Sequence, residues 1–138
     1  GVDFGERRIG LAVSGPSAEI VVPVGVVHRK SDAQAVEAVA AAARERDAAL
    51  VVVGLPLRPG DGGESPFAAR ARSFAKKLAA ATGLRVELHD EAFTSVSAEG
   101  ALREAGLSRG RRSGAVDAEA AAELLRDWLS SRPDGTIG

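Results

Sequence analysis

Three short acidic signatures are the parts of this sequence best suited to chemistry. Asp3 lies in Gly-Val-Asp-Phe-Gly at the start of the chain, Asp90 and Glu91 lie in His-Asp-Glu in the middle, and Asp117 lies in Val-Asp-Ala near the end. Apolar residues flank each signature, and there a carboxylate is costly to desolvate unless it meets a cation or a donor. Mg2+ takes oxygen ligands and keeps water that a phosphate can displace. The sequence therefore predicts a site for divalent metal ions.

The first acid belongs to a short apolar strand. Asp3 alternates with Val2 and Phe4, so we expect its side chain on the opposite sheet face from theirs. Aspartate is disfavoured in strands and is seldom buried without a partner. A polar strand end near the terminus is the alternative, and the central position expected for this strand favours a functional role.

The second signature follows a strand predicted at 84–88. Asp90 and Glu91 come at its carboxyl end, where ligands gather in open α/β sheets. The alternative is a pair of residues that caps a following helix, because acidic side chains are common there. We interpret the adjacent His89 as structural, since Mg2+ prefers oxygen ligands.

The third acid is predicted to lie in the first turn of a helix spanning about 115–130. Asp117 shares a helical stripe with the apolar residues Ala121, Leu124 and Trp128. The alternative role, stabilisation by the helix dipole, is worth ~0.3–1 kcal/mol and needs no inward-facing residue. The stripe therefore favours an acid aimed at the protein interior.

The elements that must position these acids are strands and helices in alternation. Strands are predicted at 1–4, 9–14, 20–27, 50–54 and 84–88, helices at 32–46, 65–82, 95–105 and 115–130, and loops at 55–64 and 107–114. Short connections make the first three strands antiparallel neighbours, and helical crossovers make the last two parallel to the first. Pro23 places the third strand at an edge. The predicted fold class is α/β: a ribonuclease H-like, mixed five-stranded sheet with helices on both faces.

Composition limits the class of protein. The chain has 138 residues, 45% of them hydrophobic and 27% charged, which suits one domain over 1–138. The absence of cysteine excludes disulfides and Cys-based zinc sites. No apolar run approaches the ~20 residues that span a bilayer, and no signal peptide is visible, so we expect a cytoplasmic protein that does not bind membranes. The chain has no methionine, and we expect a few residues to precede Gly1 in the translated product.

Arginines are the candidates for contact with a phosphate backbone. The net charge is −1, so any nucleic acid must be bound through local patches and metal ions. The candidate substrate-binding residues are Arg7, Arg8, Arg58, Arg109, Arg111 and Arg112. The last three lie in the predicted 107–114 loop, for which a solvated connector is the alternative, and its position directly before the Asp117 helix favours a substrate role.

Four sequence blocks, three of them containing the acidic signatures, resemble those of the YqgF (RuvX) family. The blocks are GVDFGERRIGLAVS at 1–14, VVGLPL at 52–57, HDEAFTS at 89–95 and VDAEAA at 116–121. The resemblance covers nearly the whole chain. It implies a ribonuclease H-like nuclease that processes the 5′ end of pre-16S ribosomal RNA or, by analogy with RuvC, a Holliday junction resolvase. Carried over by motif, it implies that Asp3, Glu91 and Asp117 form an acidic triad, with Asp90 as a further candidate ligand.

The mechanism that the resemblance implies is two-metal phosphodiester hydrolysis. Two Mg2+ or Mn2+ ions ~3.5–4 Å apart would activate the attacking water and stabilise the leaving 3′ oxygen. Asp3 would bridge the ions, with Glu91 and Asp117 on either side. The expected partner is nucleic acid, either RNA or branched DNA. A resolvase acts as a symmetric dimer, and the sequence leaves monomer and homodimer open.

Two positions depart from the family pattern, and two other protein classes compete with a nuclease. Ala92 stands where the family usually has an arginine that could hold a phosphate, and Ala120 stands where RuvC-type enzymes carry a further carboxylate. An ATP-binding phosphotransferase of the actin and sugar-kinase type would need two such domains, which 138 residues do not supply. A non-catalytic RNA- or protein-binding domain is the other class, and Ala92 keeps it open.

Overall fold

The computed structural model describes residues 1–15, 20–55, 66–90 and 109–131, and within these ranges the side chains of all residues except 90 and 109–115. The strands are β1 Val2–Phe4, β2 Arg8–Ser14, β3 Val21–His28, β4 Leu50–Leu55 and β5 Arg85–Asp90. The helices are α1 Asp32–Glu45, α2 Pro66–Thr82 and α3 Arg109–Ser130. Of the predicted loop at 55–64, Leu55 instead ends β4, and residues 56–64 lie outside the described residues, as does the predicted helix at 95–105.

The five strands form one mixed sheet in the order β3-β2-β1-β4-β5. The β1–β2 and β2–β3 pairs are antiparallel, and the β1–β4 and β4–β5 pairs are parallel. This confirms the predicted topology and the edge position of β3, where Pro23 lies. The strand that carries Asp3 is therefore the centre of the sheet.

Helices cover both faces of the sheet, as predicted. Val51 and Val53 of β4 pack in the core that α1 and α2 close, whereas Val52 between them packs under α3. Phe4 anchors the first of these cores, with its ring centroid 4.9 Å from that of Phe74. Consecutive residues of the central strands therefore pack in different cores. Asp3 thus faces a different set of side chains from Val2 and Phe4.

Local signals fix the ends of the first two helices. The Ser31 side chain accepts a hydrogen bond from the Gln34 amide at 3.1 Å and caps α1. Gly83 directly follows α2 and stops it, with a φ of 72° in the left-handed region that favours glycine. No helix in the described ranges has an apolar stretch long enough to cross a membrane.

The third helix begins earlier than the sequence indicates. α3 runs from Arg109, so the prediction of a loop at 107–114 is wrong for 109–114. No proline interrupts this segment. Its glycines, Gly110 and Gly114, cost only about 1 kcal/mol each in a helix, and arginine is a good helix former. Asp117 therefore lies about two turns inside the helix instead of in its first turn.

An apolar cavity of about 390 Å³ lies at the Gly1 end of β1. Residues of β2, β4, α1 and α3 line it, with Leu11, Val51 and Trp128 among them. Neither Asp3 nor Asp117 belongs to its lining. This cavity is therefore separate from the acidic residues.

Candidate active site

Asp3 lies on the sheet face that α3 covers. Its neighbours Val2 and Phe4 are buried in the opposite core, with 3% and 2% of their surface exposed. Because strand side chains alternate between faces, Asp3 is on the α3 side, where it is half-buried. The orientation predicted from alternation agrees with this arrangement.

Gly10 brings the third acid to the same place. It is the antiparallel partner of Asp3 on β2, and a β-carbon built on it would lie 1.8 Å from the Asp117 carbonyl oxygen. Only a glycine leaves room for the α3 backbone at this point. Side chains directly across an antiparallel pair have Cβ atoms about 4.5–5.5 Å apart. The backbone of Asp117 thus lies on Gly10, directly across from Asp3, and the two acids lie on the same part of the sheet.

An ion pair fixes the Asp117 side chain. The Nε of Arg8 donates a hydrogen bond to Oδ2 of Asp117 at 2.7 Å, and the two side chains are 36% and 21% exposed. Burial raises the pKa of Asp117, and the Arg8 hydrogen bond and charge, together with the charge of His28, oppose that rise. The carboxyl group therefore lies where its charged form is poorly solvated and a cation stabilises it.

The position of Asp117 in α3 argues against its alternative role, stabilisation by the helix dipole. The helix dipole acts within the first turn of a helix, and α3 begins eight residues earlier, at Arg109. The stripe below Asp117 is buried as predicted, with Ala121 and Leu124 fully covered and Trp128 6% exposed. Asp117 thus lies at the N-terminal end of the helix stripe that packs against the sheet.

Arg29, which the sequence analysis did not single out, holds the turn between Asp3 and Arg8. Its Nε and Nη2 donate to the Glu6 carbonyl oxygen, the former at 2.8 Å, and its Nη1 donates to Asp32 at 2.7 Å. The guanidinium lies 5.1 Å from the Phe4 ring centroid, and the side chain is only 8% exposed. Its contact with the turn joins residues 23 positions apart, which no local pattern reveals.

His89 has a structural partner. Its Nε2 lies 2.6 Å from Oδ2 of Asp127 on α3, so the pair joins the end of β5 to the helix. This contact agrees with the interpretation of His89 as a structural residue.

Comparison with known proteins places this arrangement in a family. Residues 1–131 match the family model RuvX, described as Holliday junction resolvase. The chain belongs to the RuvX family. The resemblance predicted from the four sequence blocks is thereby confirmed, together with the ribonuclease H-like α/β class.

Several curated proteins are similar to this RuvX chain over most of their length. A protein of Anaeromyxobacter sp. (strain K) is 47% identical over 132 residues, which is 96% of each chain. One of Myxococcus xanthus (strain DK1622) is 40% identical over 137 residues, which is 99% of this chain and 90% of that protein. One of Chloroflexus aggregans is 39% identical over 132 residues, 96% and 92% of the two chains. Each carries the name "Putative pre-16S rRNA nuclease".

The described part of this RuvX protein contains some of the predicted site residues. It brings together Asp3, Asp117 and Arg8, and it places Arg7 exposed on the adjoining turn. Glu91 and Arg58 lie outside the described residues, as do the side chains of Asp90, Arg109, Arg111 and Arg112. Within the described ranges, no group of three or more histidine, aspartate or glutamate side chains could hold a metal ion.

One departure from RuvC-type enzymes has a structural counterpart in this RuvX chain. Ala120, at the position of the further carboxylate, is 1% exposed on α3. A packed methyl group occupies this position, and burying a carboxylate there would require a cation or hydrogen-bond donors beside it.

Proposed function

We propose that this RuvX protein is a metal-dependent nuclease that hydrolyses phosphodiester bonds at the 5′ end of pre-16S ribosomal RNA, in the cytoplasm. The observation that carries the proposal is the shared position of Asp3 and Asp117, which the Gly10 contact creates. The names of its relatives support the choice of ribosomal RNA precursor as substrate.

The charges in the described site favour a metal ion. Asp3, Asp117 and Arg8 contribute two carboxylates and one guanidinium, a set that repels a phosphodiester when all three are ionised. Carboxylate oxygen is the donor type that Mg2+ and Mn2+ take. Burial of Asp117 adds a demand for positive charge at its carboxylate. The residues present therefore fit a divalent cation, and a bound cation would offset the repulsion of substrate.

Each acid has a proposed role. Asp3 would hold the ions from the centre of the sheet, where β1 pairs with a strand on each side. Asp117 would hold them from α3, and Glu91, with Asp90 beside it, would be the third ligand. Two bound Mg2+ or Mn2+ ions would supply an activated water and stabilise the leaving oxygen.

Arginines would position the substrate. Arg7 is exposed on the turn beside Arg8, where a backbone phosphate can reach it. Arg58, Arg109, Arg111 and Arg112 remain proposed contacts, the last three on the part of α3 that precedes Asp117. Guanidinium groups suit this role because they bind phosphate through paired N–H donors.

Cleavage assays of wild-type protein and three variants test the proposal. The substrates are RNA that contains the 5′ precursor of 16S ribosomal RNA, an unrelated single-stranded RNA and a four-way DNA junction, each with Mn2+ or EDTA. We expect Mn2+-dependent cleavage of the precursor and a loss of at least about 100-fold in Asp3→Asn and in Asp117→Asn, because lost ligands cost more than lost outer-shell partners. Glu123→Gln changes a part-exposed acid on the same helix that pairs with Arg126; it is the matched control and should cleave normally.

Three outcomes would contradict the proposal. Cleavage that persists in EDTA would exclude a metal-dependent reaction. Normal cleavage by folded Asp3→Asn would exclude the acidic site. Metal-independent RNA binding without cleavage would identify a non-catalytic binding domain.

Junction resolution is the second candidate function, because the matching family model is described as a Holliday junction resolvase. Resolution requires paired cuts in two strands and thus a symmetric dimer. Preferential cleavage of the four-way DNA, together with a dimer in sedimentation experiments, would favour this activity over RNA processing.

A further inference from the structure

The Arg8–Asp117 ion pair occupies an acid that the proposed nuclease needs for metal binding. The contact is short, 2.7 Å between Arg8 Nε and Asp117 Oδ2, and it joins residues 109 positions apart in sequence. A guanidinium and a divalent cation both require the negative charge of this carboxylate. An ion bound at Asp117 would also repel Arg8.

The fold presents Arg8 to both acids of the site. Arg8 and Gly10 are two residues apart on β2 and face α3 together, and Gly10 pairs directly with Asp3. Arg8 and Asp3 are therefore diagonal cross-strand neighbours, a relationship that long side chains can bridge. The Arg8 side chain is 36% exposed, so it also contacts solvent.

Only one nitrogen of the Arg8 guanidinium is engaged by a described residue. Asp117 accepts from Nε, and within the described ranges the two terminal nitrogens make no side-chain hydrogen bond. These two nitrogens can donate paired hydrogen bonds to a phosphate when an arginine is released from its partner.

We propose that Arg8 is a positioning residue with two alternating partners: it holds Asp117 before metal binds, and it moves to a substrate phosphate once a divalent cation takes the carboxylate. The inference rests on the proposed function, because it needs a metal ion at Asp117. It adds a coupling between the two events, in which metal loading makes an RNA-binding arginine available.

The first test is Mn2+ affinity in the absence of RNA, measured by titration calorimetry. Arg8→Gln removes the competitor for Asp117 and should bind Mn2+ about fivefold more tightly, the range of a part-exposed ion pair. Arg8→Lys retains a competing charge and should lie between Arg8→Gln and wild type. Arg7→Gln, the matched control, removes an equal charge from the neighbouring residue and should change affinity less than about twofold, because exposed charges are screened.

The second test is RNA binding with and without ions, measured by fluorescence anisotropy with Ca2+ or EDTA. Ca2+ takes the same oxygen ligands. With Ca2+, Arg8→Gln should weaken binding and lower the salt slope by about 0.7, the value for one contact with a single strand. In EDTA, where wild-type Arg8 is held by Asp117, the variant should bind as wild type does. Arg7→Gln should have the same effect in both conditions.

The outcomes separate this inference from the function on which it rests. Equal tightening of Mn2+ binding by Arg7→Gln and Arg8→Gln would reduce the effect to general electrostatics and overturn the exchange. An equal loss of RNA affinity by Arg8→Gln in Ca2+ and in EDTA would also overturn the exchange of partners. A wild-type protein that binds no Mn2+ would overturn the proposed function, and the inference with it. Thermal unfolding of each variant identifies any that fail to fold, and Arg8→Lys then serves in place of Arg8→Gln.

Discussion

Gly10 of β2 and the Asp117 peptide of α3 approach so closely that a β-carbon on Gly10 would lie 1.8 Å from the Asp117 carbonyl oxygen. The contact is between a strand and a helix from opposite ends of the chain. It sets the distance of α3 from the sheet at the level of Asp3, which pairs with Gly10. A single missing side chain thus brings the two described acids of the candidate site together.

Replacing Gly10 by alanine should destabilise the protein strongly. The added methyl group meets backbone atoms of Asp117 and Ala118, which can move only if α3 moves. We expect a loss of about 3 kcal/mol in the free energy of unfolding, the upper part of the range for overpacking, measured by urea denaturation. Gly15→Ala is the matched control, because nothing lies within 4 Å of a β-carbon at that position, and it should change stability by less than about 0.5 kcal/mol.

A stable Gly10→Ala protein would show that α3 does not pack against β2 at Asp117. A folded but displaced helix would instead preserve secondary structure, measured by circular dichroism, and weaken Mn2+ binding.

The sequence predicts the faces and the order of the strands better than it predicts contacts between distant elements. Alternation alone, a regularity of any strand, predicts the face on which Asp3 lies. No local pattern predicts that position 10 must be glycine, because the backbone that requires it belongs to a helix far along the chain. The role of Arg29 is not visible in the sequence for the same reason, because its hydrogen bonds to Glu6 span 23 positions.

The start of α3 shows a different limit. Glycine and serine at 108–114 are typical of loops, yet the structure continues the helix back to Arg109. Residues 118–129 contribute a long buried apolar stripe, and helix propagation adds residues at little cost once a helix is formed. Local propensity therefore placed the start of the helix six residues too late.

Asp117 should make stability fall as pH rises. Its pKa is raised in the folded protein above the ordinary 3.8, so the folded state binds the proton more tightly than the unfolded state, and deprotonation costs stability. Asp117→Asn lacks this cost. The melting temperature of the variant, relative to wild type in EDTA, should increase from pH 3.5 upward through the raised pKa and then level off. A relative melting temperature that decreases over this window would mean that Arg8 outweighs burial.

Arg29→Lys should be destabilising although it keeps the charge. Lysine cannot reach the Glu6 carbonyl and Asp32 together, and the guanidinium lies near the Phe4 ring in an almost buried position. We expect a loss of about 1.5–3 kcal/mol, the range for hydrogen bonds of charged groups, measured by urea denaturation.

A control on α3 separates burial from hydrogen-bond number in that experiment. Arg126 bonds Glu119 and Glu123 but is 43% exposed, so Arg126→Lys should cost less than about 1 kcal/mol. Equal losses in the free energy of unfolding for Arg29→Lys and Arg126→Lys would show that Arg29 does not stabilise the turn beside the site.

The arginines at the start of α3 are expected to contact the nucleic-acid backbone. Changing Arg109, Arg111 and Arg112 together to alanine should weaken binding similarly for RNAs of different sequence, because phosphate contacts carry no sequence information. The salt slope should fall by about 0.7 for each lost contact with a single strand. Mn2+ affinity should not change, and cleavage at saturating RNA should fall little, since these contacts bind substrate and transition state alike.

The matched control removes three positive charges from the opposite side of the sheet. Arg72, Lys76 and Lys77 are exposed on α2, which packs on the face away from Asp117. Their combined change to alanine alters net charge equally and should leave the salt slope within error of wild type. Equal slopes in the two triple variants and wild type would return the start of α3 to a structural role, and the phosphate contacts would then have to come from Arg7, Arg8 and Arg58.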